Sequence, residues 1–248
     1  MRTAVFDSGV GGLTVVKSLL EHSLFDEIIY YGDTARVPYG TKDPNTIIRY
    51  SLEALEFFNN FEIDLLIVAC NTASAHAIDE LRRKASFDVI GVIEPGVLAL
   101  ENRRVCKDDP VLVIGTRATI NSRSYQNLLV RHGYRNVQAV AAPLLVPLVE
   151  EGILEGAIVE ESFKRYFDDL ISPKAVIMGC THYPLMQEAL GRYFNGAELV
   201  HSGEAIVEYL RKNGYGLSKK ETVMRFFASE NVARLKQVAS QWFRREIL

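Results

Sequence analysis

The sequence predicts an α/β protein made of two pseudo-symmetric, doubly wound parallel-sheet domains with the active site between them. Three observations carry this. Short apolar runs rich in β-branched residues alternate with longer amphipathic stretches through most of the 248 residues. The apolar runs are continuous, which marks strands buried on both faces beneath helices, and hence right-handed βαβ units. The pattern also repeats itself. Leu65-Leu66-Ile67-Val68-Ala69-Cys70-Asn71-Thr72 and Ala175-Val176-Ile177-Met178-Gly179-Cys180-Thr181-His182 share one design: an apolar strand, a small residue, a cysteine, then hydroxyl or amide side chains opening a helix. Eight strands could also close into a barrel, but an internal repeat favours two sheets.

In chain order, the first strand is expected at 4–6, ending on Asp7-Ser8-Gly9, with a helix at 13–22. A strand at 27–31 leads into a long loop, 32–40, then a helix at 44–60. The strand at 64–69 delivers Cys70 to a helix at 73–84, and a strand at 89–93 precedes a helix at 97–104. The strand at 111–114 ends on Gly115-Thr116, a weaker echo of the first strand's end, and a helix follows at 122–132. A strand at 137–141 and an apolar segment at 144–149 lead to Glu150-Glu151-Gly152 and a helix at 159–170. The strand at 175–178 delivers Cys180 to a helix at 183–194; a strand at 198–200 and a helix at 204–213 complete the pattern. The tail, 222–228 then 231–243, is expected to return to the first half as a strand and a helix. The expected domains are 1–93 plus 209–248, carrying Cys70, and 94–208, carrying Cys180.

Composition excludes several classes. At 48% hydrophobic and 24% charged residues, with 17 Gly and 8 Pro, the chain is neither disordered nor collagen-like. Basic and acidic residues number 28 and 31, and the densest basic cluster, Arg82-Arg83-Lys84, reads as a short helical surface patch. Nucleic acid is therefore not the expected partner. Three cysteines without Cys-x-x-Cys or Cys/His spacing offer neither a disulfide framework nor a metal site. With no signal segment and no apolar run of about 18 residues, the expectation is a cytoplasmic protein with reduced thiols and no membrane association.

Cys70 and Cys180 stand where chemistry is expected in open α/β sheets, at the C-terminal ends of strands. A helix N-terminus favours thiolate over thiol, and a free thiol pKa of about 8.5 could thereby approach working pH. Burial as small hydrophobes would explain one such cysteine; two in matched settings argue against coincidence. Cys106 precedes a strand in a polar stretch and reads as incidental. Asn71, Thr72 and Thr181 add donors beside the thiols, and Ser8, Gly9, Gly11 and Gly12 form a further anion-binding turn; helix capping is compatible with both uses. The glycine turn resembles a dinucleotide fingerprint, and Asp33 lies near the ribose offset. The match fails at Thr14, Asp7 would repel a pyrophosphate, and Lys17 has the wrong spacing for a phosphate-loop lysine. Glu150 and His182 supply a carboxylate and an imidazole able to exchange protons with a thiol.

Four motifs, Phe6-Asp7-Ser8-Gly9-Val10-Gly11-Gly12, Tyr31-Gly32-Asp33-Thr34-Ala35-Arg36-Val37-Pro38-Tyr39-Gly40, Ala69-Cys70-Asn71-Thr72-Ala73-Ser74 and Gly179-Cys180-Thr181-His182-Tyr183-Pro184, occur in the order found in glutamate racemases. On them the chain resembles that family, part of the cofactor-independent aspartate/glutamate racemase superfamily, from Met1 to about Tyr209. The resemblance implies two-base transfer of the glutamate α-proton, with Cys70 working on D-glutamate and Cys180 on L-glutamate. Asp7 would assist Cys70; Glu150 and His182 would assist Cys180. Ser8, Tyr39, Gly40, Asn71, Thr72, Thr116, Thr119 and Thr181 would hold the substrate. It further implies no cofactor, a homodimer, and D-glutamate supply to bacterial peptidoglycan synthesis. The chain starts directly on its first strand, so the activation by precursor that some relatives receive through an N-terminal extension is not expected. The alternatives are an aspartate or other two-thiol racemase, a nucleotide-binding oxidoreductase, and a non-catalytic module binding acidic amino acids.

Overall fold

The apolar runs form nine parallel strands among the described residues, which in this computed structural model are 1–215, 218 and 220–243. The strands are β1 (Arg2–Asp7), β2 (Glu27–Gly32), β3 (Leu65–Val68), β4 (Asp88–Gly91), β5 (Val111–Gly115), β6 (Val137–Ala141), β7 (Ala175–Gly179), β8 (Glu198–His201) and β9 (Val223–Ala228). The helices of the first part are α1 (Leu13–Glu21), α2 (Pro44–Phe58), α3 (Asn71–His76), α4 (Ile78–Lys84) and α5 (Ile93–Leu98). They continue with α6 (Arg117–Asn121), α7 (Ser124–Arg131), α8 (Leu145–Glu150), α9 (Ala157–Phe167), α10 (Gln187–Tyr193), α11 (Ser202–Lys212) and α12 (Val232–Phe243). Residues 216, 217, 219 and 244–248 of the expected 209–248 segment lie outside the described residues.

Two parallel sheets result, in the orders β4-β3-β1-β2-β9 and β6-β5-β7-β8. Taken from its other edge, the second is β8-β7-β5-β6. Strands β5 to β8 thus repeat the arrangement of β1 to β4, each starting about 110 residues after its counterpart. β9 is the addition: the tail returns and pairs with β2, from Glu27↔Val223 to Gly32↔Ala228, while Leu235 and Ala239 of α12 join the core beneath α1.

Period-two alternation places successive residues of each strand on opposite faces. Val5, Ile28, Tyr30, Leu65 and Ile67 pack under α1, α11 and α12, whereas Ala4, Phe6, Ile29, Leu66 and Val68 pack under α2 and α4. The second sheet divides likewise: Leu112, Ile114, Val176 and Met178 face α8 to α10, while Val111, Val113, Ala175 and Ile177 face α5 and α7. Helices cover both faces, which is the physical cause of the continuous apolar runs.

Several boundaries differ from expectation. The 89–93 strand stops at Gly91, and α5 begins at Ile93, well before the expected helix at 97–104, which is a 3-10 turn over Ala99–Asn102. Pro95 lies in the first turn of α5, where its missing N–H removes no helical bond. The apolar segment at 144–149 is helix α8, with Pro147 tolerated for the same reason. The expected 73–84 helix breaks at Ala77, and the 122–132 helix is α7, which starts only at Ser124 after Arg123 in the left-handed region at φ 58°, with the short α6 preceding it. The 183–194 helix starts as a 3-10 turn, Tyr183–Met186.

In both sheets the chain leaves neighbouring strands in opposite directions between the first and third strands of the unit, β1 beside β3 and β5 beside β7. The crevice at the C-terminal ends of such strands is where doubly wound sheets bind ligands. Here those ends carry Asp7 and Cys70 in one sheet, Thr116 and Cys180 in the other.

Candidate active site

Cys70 and Cys180 are both buried and line one small cavity of about 40 Å³. The cavity also touches Ser8, Tyr39, Gly40, Asn71, Thr72, Thr116, Thr181 and His182. Asp7, Thr119 and Glu150 sit behind this wall, each hydrogen-bonded to a residue that forms it. Cys106 is exposed and away from the cavity, as expected.

The two thiols have different surroundings. Cys70 caps α3, its sulfur accepting from the Ala73 N–H at 3.4 Å and donating to Ser8 Oγ at 3.5 Å. Burial and then the Asp7 charge push its pKa up to about 12, against the opposing bonds from Ser8 and Ala73. The helix-end field invoked from the sequence is overridden here by desolvation, and Cys70 rests as a thiol. Asp7 is fully buried at the end of β1, accepting from Gly9 N–H at 3.0 Å and from the Thr181 hydroxyl at 3.3 Å across the two halves. Burial raises its pKa; the His182 charge and the bonds from Gly12, Gly9 and Thr181 oppose this.

Cys180 Sγ lies 3.8 Å from His182 Nδ1, and His182 Nε2 lies 3.2 Å from Glu150 Oε1. Burial disfavours the His182 charge, but its hydrogen bonds to Cys180 and Glu150, with the charges of Cys180 and Asp7, outweigh it and hold the ring near a pKa of about 10. The bond to His182 in turn lowers the Glu150 pKa, with burial opposing. At neutral pH, then, an imidazolium stands beside the Cys180 sulfur with a carboxylate behind it, an arrangement suited to proton exchange with a thiol.

A stability effect follows. A folded-state pKa near 10, against 6.5 for an unperturbed histidine, contributes stability that is complete below pH 6.5 and lost as pH rises through about 10. The difference in unfolding free energy between the wild type and His182→Gln is expected to be flat below pH 6.5 and to shrink steadily up to pH 10, as measured by denaturant titration at a series of pH values. A difference that grows with pH would contradict an imidazolium at this position.

Hydroxyls join the halves beside the thiols. Thr72 of α3 meets Thr116 at 2.9 Å and Thr119 at 3.0 Å, and Thr116 and Thr119 are themselves 3.0 Å apart. The Asn71 amide nitrogen donates to Ser202 Oγ at 3.2 Å, and its oxygen accepts from Tyr125 OH at 2.7 Å. Tyr39 lines the cavity, but its hydroxyl donates to Asp33 Oδ2 at 2.5 Å, an oxygen that also accepts from Arg36 Nε at 2.7 Å. Asp33 therefore anchors the long loop. Tyr125, Ser202 and this use of Asp33 were not distinguishable in the sequence, where each reads as an ordinary helix or loop residue.

The glycine turn also has a use that its motif did not suggest. A Cβ on Gly11 would lie 2.3 Å from Thr181 Oγ1 and 2.6 Å from His182 Nδ1, and one on Gly40 would lie 2.5 Å from Thr116 Cβ. At these two points backbone of the first half meets side chains of the second, and only glycine fits. At Gly11 the turn is a seam between halves. Among the described residues no group of His, Cys, Asp or Glu side chains could hold a metal ion, and no helix is long and apolar enough to cross a membrane.

Comparison with known proteins agrees with this architecture. The family model described as Asp/Glu/Hydantoin racemase matches residues 14–210. The chain is 64% identical over 246 residues to a glutamate racemase of a Nitratiruptor species, covering 98% of this chain and 97% of that one. It is similar to the crystal structure of glutamate racemase from Campylobacter jejuni subsp. jejuni, with a TM-score of 0.96, 52% identity and 98% of each chain covered. It is also similar to that from Francisella tularensis subsp. tularensis in complex with D-glutamate, with a TM-score of 0.87, 33% identity, and 100% of this chain and 95% of that one covered. The chain belongs to the Asp/Glu/Hydantoin racemase family and, within it, to the glutamate racemases.

Proposed function

We infer that the chain interconverts L- and D-glutamate by moving the substrate α-proton between two cysteines, without a cofactor. The observation that carries this reading is the pair of buried thiols at equivalent positions in two like sheets, lining one cavity with different proton partners. Inversion needs removal of a proton from one face and delivery to the other. A single base returning its own proton would restore the starting enantiomer.

On L-glutamate, the Cys180 thiolate, balanced by the His182 imidazolium, takes the α-proton, and the C–H electron pair moves into the α-carboxylate as an enediolate-like species. The Cys70 thiol then gives its proton to the opposite face, leaving Cys70 as thiolate near Asp7. The reverse sequence serves D-glutamate. Ser8, Asn71, Thr72, Thr116, Thr119 and Thr181, with Tyr39 and Gly40, hold the substrate, and N–H and O–H donors on the α-carboxylate are best placed to stabilise the charge that develops there. Glu150 keeps His182 charged. The halves pairing these groups are 1–93 plus 209–248 and 94–208; sheet membership of β9 with β1 to β4 supports that division. A cytoplasmic homodimer supplying D-glutamate to peptidoglycan synthesis completes the reading, with no nucleic acid or membrane as partner.

The test is incubation of the purified chain with L-glutamate in deuterated water without added cofactor. D-glutamate carrying deuterium at Cα is expected, with L-aspartate turned over far more slowly. Failure to form D-glutamate, or its formation with the original proton fully retained over many turnovers, would overturn the scheme.

A further inference from the structure

The proton-transfer scheme leaves unused a side chain that touches both cysteine-bearing turns. Tyr125, on α7, is only 1% exposed. Its ring runs beside the end of β7: a Cβ on Gly179, the residue before Cys180, would lie 3.1 Å from its Cε2, and one on Gly96 of α5 would lie 3.3 Å from its Cε1. Two glycines thus make room for this ring. From there its hydroxyl reaches across to the other half and donates to Oδ1 of Asn71, the residue after Cys70, at 2.7 Å. The Asn71 nitrogen meets Ser202 Oγ, at the start of α11, at 3.2 Å. All three side chains are buried, so each of these bonds is made out of competition with water.

An amide has an acceptor end and a donor end of nearly equal size, and its neighbours decide which faces where. Here the oxygen is committed to the Tyr125 hydroxyl and one N–H to Ser202. A second N–H remains, on a residue that lines the cavity. With the amide reversed, an oxygen would meet the substrate α-carboxylate and repel it. We propose that Tyr125 is a positioning residue for racemisation: it holds the Asn71 amide with its second N–H toward the substrate carboxylate and, by bearing on Gly179, ties that donor to the Cys180 turn. The proposal rests on the racemase reading of the cavity.

Tyr125→Phe keeps the ring and removes only the hydroxyl. It is expected to raise KM for both glutamate enantiomers about 10-fold, the worth of about one hydrogen bond, with kcat changed less than KM. The decisive measurement repeats the substitution in an Asn71→Ala background. If Tyr125 acts through Asn71, the loss caused by Tyr125→Phe disappears there; a role in packing alone would persist. Unchanged KM in Tyr125→Phe, or the same loss added on top of Asn71→Ala, overturns the proposal. Should Tyr125→Phe fail to fold, Ser202→Ala, which frees the other end of the amide, is read by the same comparison with the same two outcomes. Absence of racemisation in the wild type would instead count against the functional reading.

Discussion

Replacing Cys70 or Cys180 with serine is expected to lower glutamate racemisation by about 10⁴-fold, the upper range for loss of a general acid or base. The loss must be equal in both directions. Enantiomers have the same free energy in water, so the equilibrium constant is unity and kcat/KM falls by one factor for both. The two variants are told apart by isotope exchange. With Cys70→Ser, the remaining Cys180 can still take the α-proton of L-glutamate and return a deuteron to the same face, so deuterium enters without inversion. With Cys180→Ser the same exchange is expected on D-glutamate. Serine is a poor substitute in both roles, because its hydroxyl is a far weaker acid than a thiol. The cost is expected to be severe at Cys70, where a pKa pushed up to about 12 by burial and by Asp7 suits the group to hold a proton until the carbanion-like species needs it. A serine variant keeping more than a tenth of wild-type activity would end the two-thiol account.

Gly11→Ala is expected to cost about 10²-fold in kcat/KM although Gly11 carries no side chain and enters no proton transfer. The added methyl would lie 2.3 Å from Thr181 Oγ1 and 2.6 Å from His182 Nδ1. The turn cannot easily retreat: Thr14 N–H bonds to Gly11 O at 3.0 Å, and the Thr14 hydroxyl bonds to Thr181 O at 2.9 Å. Thr181 and His182 must therefore move, and with them the contact to Cys180. Overpacking of this kind typically costs about 1–3 kcal/mol of stability, so the variant should fold with a somewhat lower melting temperature. Gly191→Ala is the control: on α10 a Cβ would meet only Leu199 Cδ1 at 3.7 Å, an ordinary contact, and alanine favours the helix. Steady-state kinetics on both variants, with thermal melts alongside, decide the matter. Near-normal activity in Gly11→Ala would mean that the seam yields without disturbing the relay.

Strand positions and the two cysteines were legible in the sequence because each depends on local pattern. Burial on both faces writes itself as an unbroken apolar run, as in Leu65–Val68, and the repeated cysteine-turn design survives comparison of one segment with another. Helix α8 was less legible, because Pro147 and its β-branched neighbours Val146 and Val149 resemble an extended segment as much as a first helical turn. The contacts that cross between halves left no trace at all. Thr181 with Asp7, Gly11 with His182, and Tyr125 with Asn71 each join residues far apart in the chain, and neither partner has a composition or spacing that announces the other. The glycine turn shows the same limit from the opposite side. Its spacing suggested a phosphate cradle, whereas at Gly11 the reason for glycine is a neighbour delivered by the other sheet, and at Gly12 it is Asp7 of its own.

The matching strand orders of the two sheets bear on how the two thiols came to differ. Two identical copies of one unit, assembled about a twofold axis, would offer the same thiol with the same neighbours to both faces of a substrate, and any change to one would be imposed on the other. Carrying both units in one chain lifts that constraint. Each catalytic environment can then be altered alone, and here each has been: a hydroxyl and a buried aspartate beside Cys70, an imidazole and a glutamate beside Cys180. The molecule keeps symmetry in its backbone, where a chiral inversion needs two opposed faces, and gives it up in its side chains, where donor and acceptor have different work.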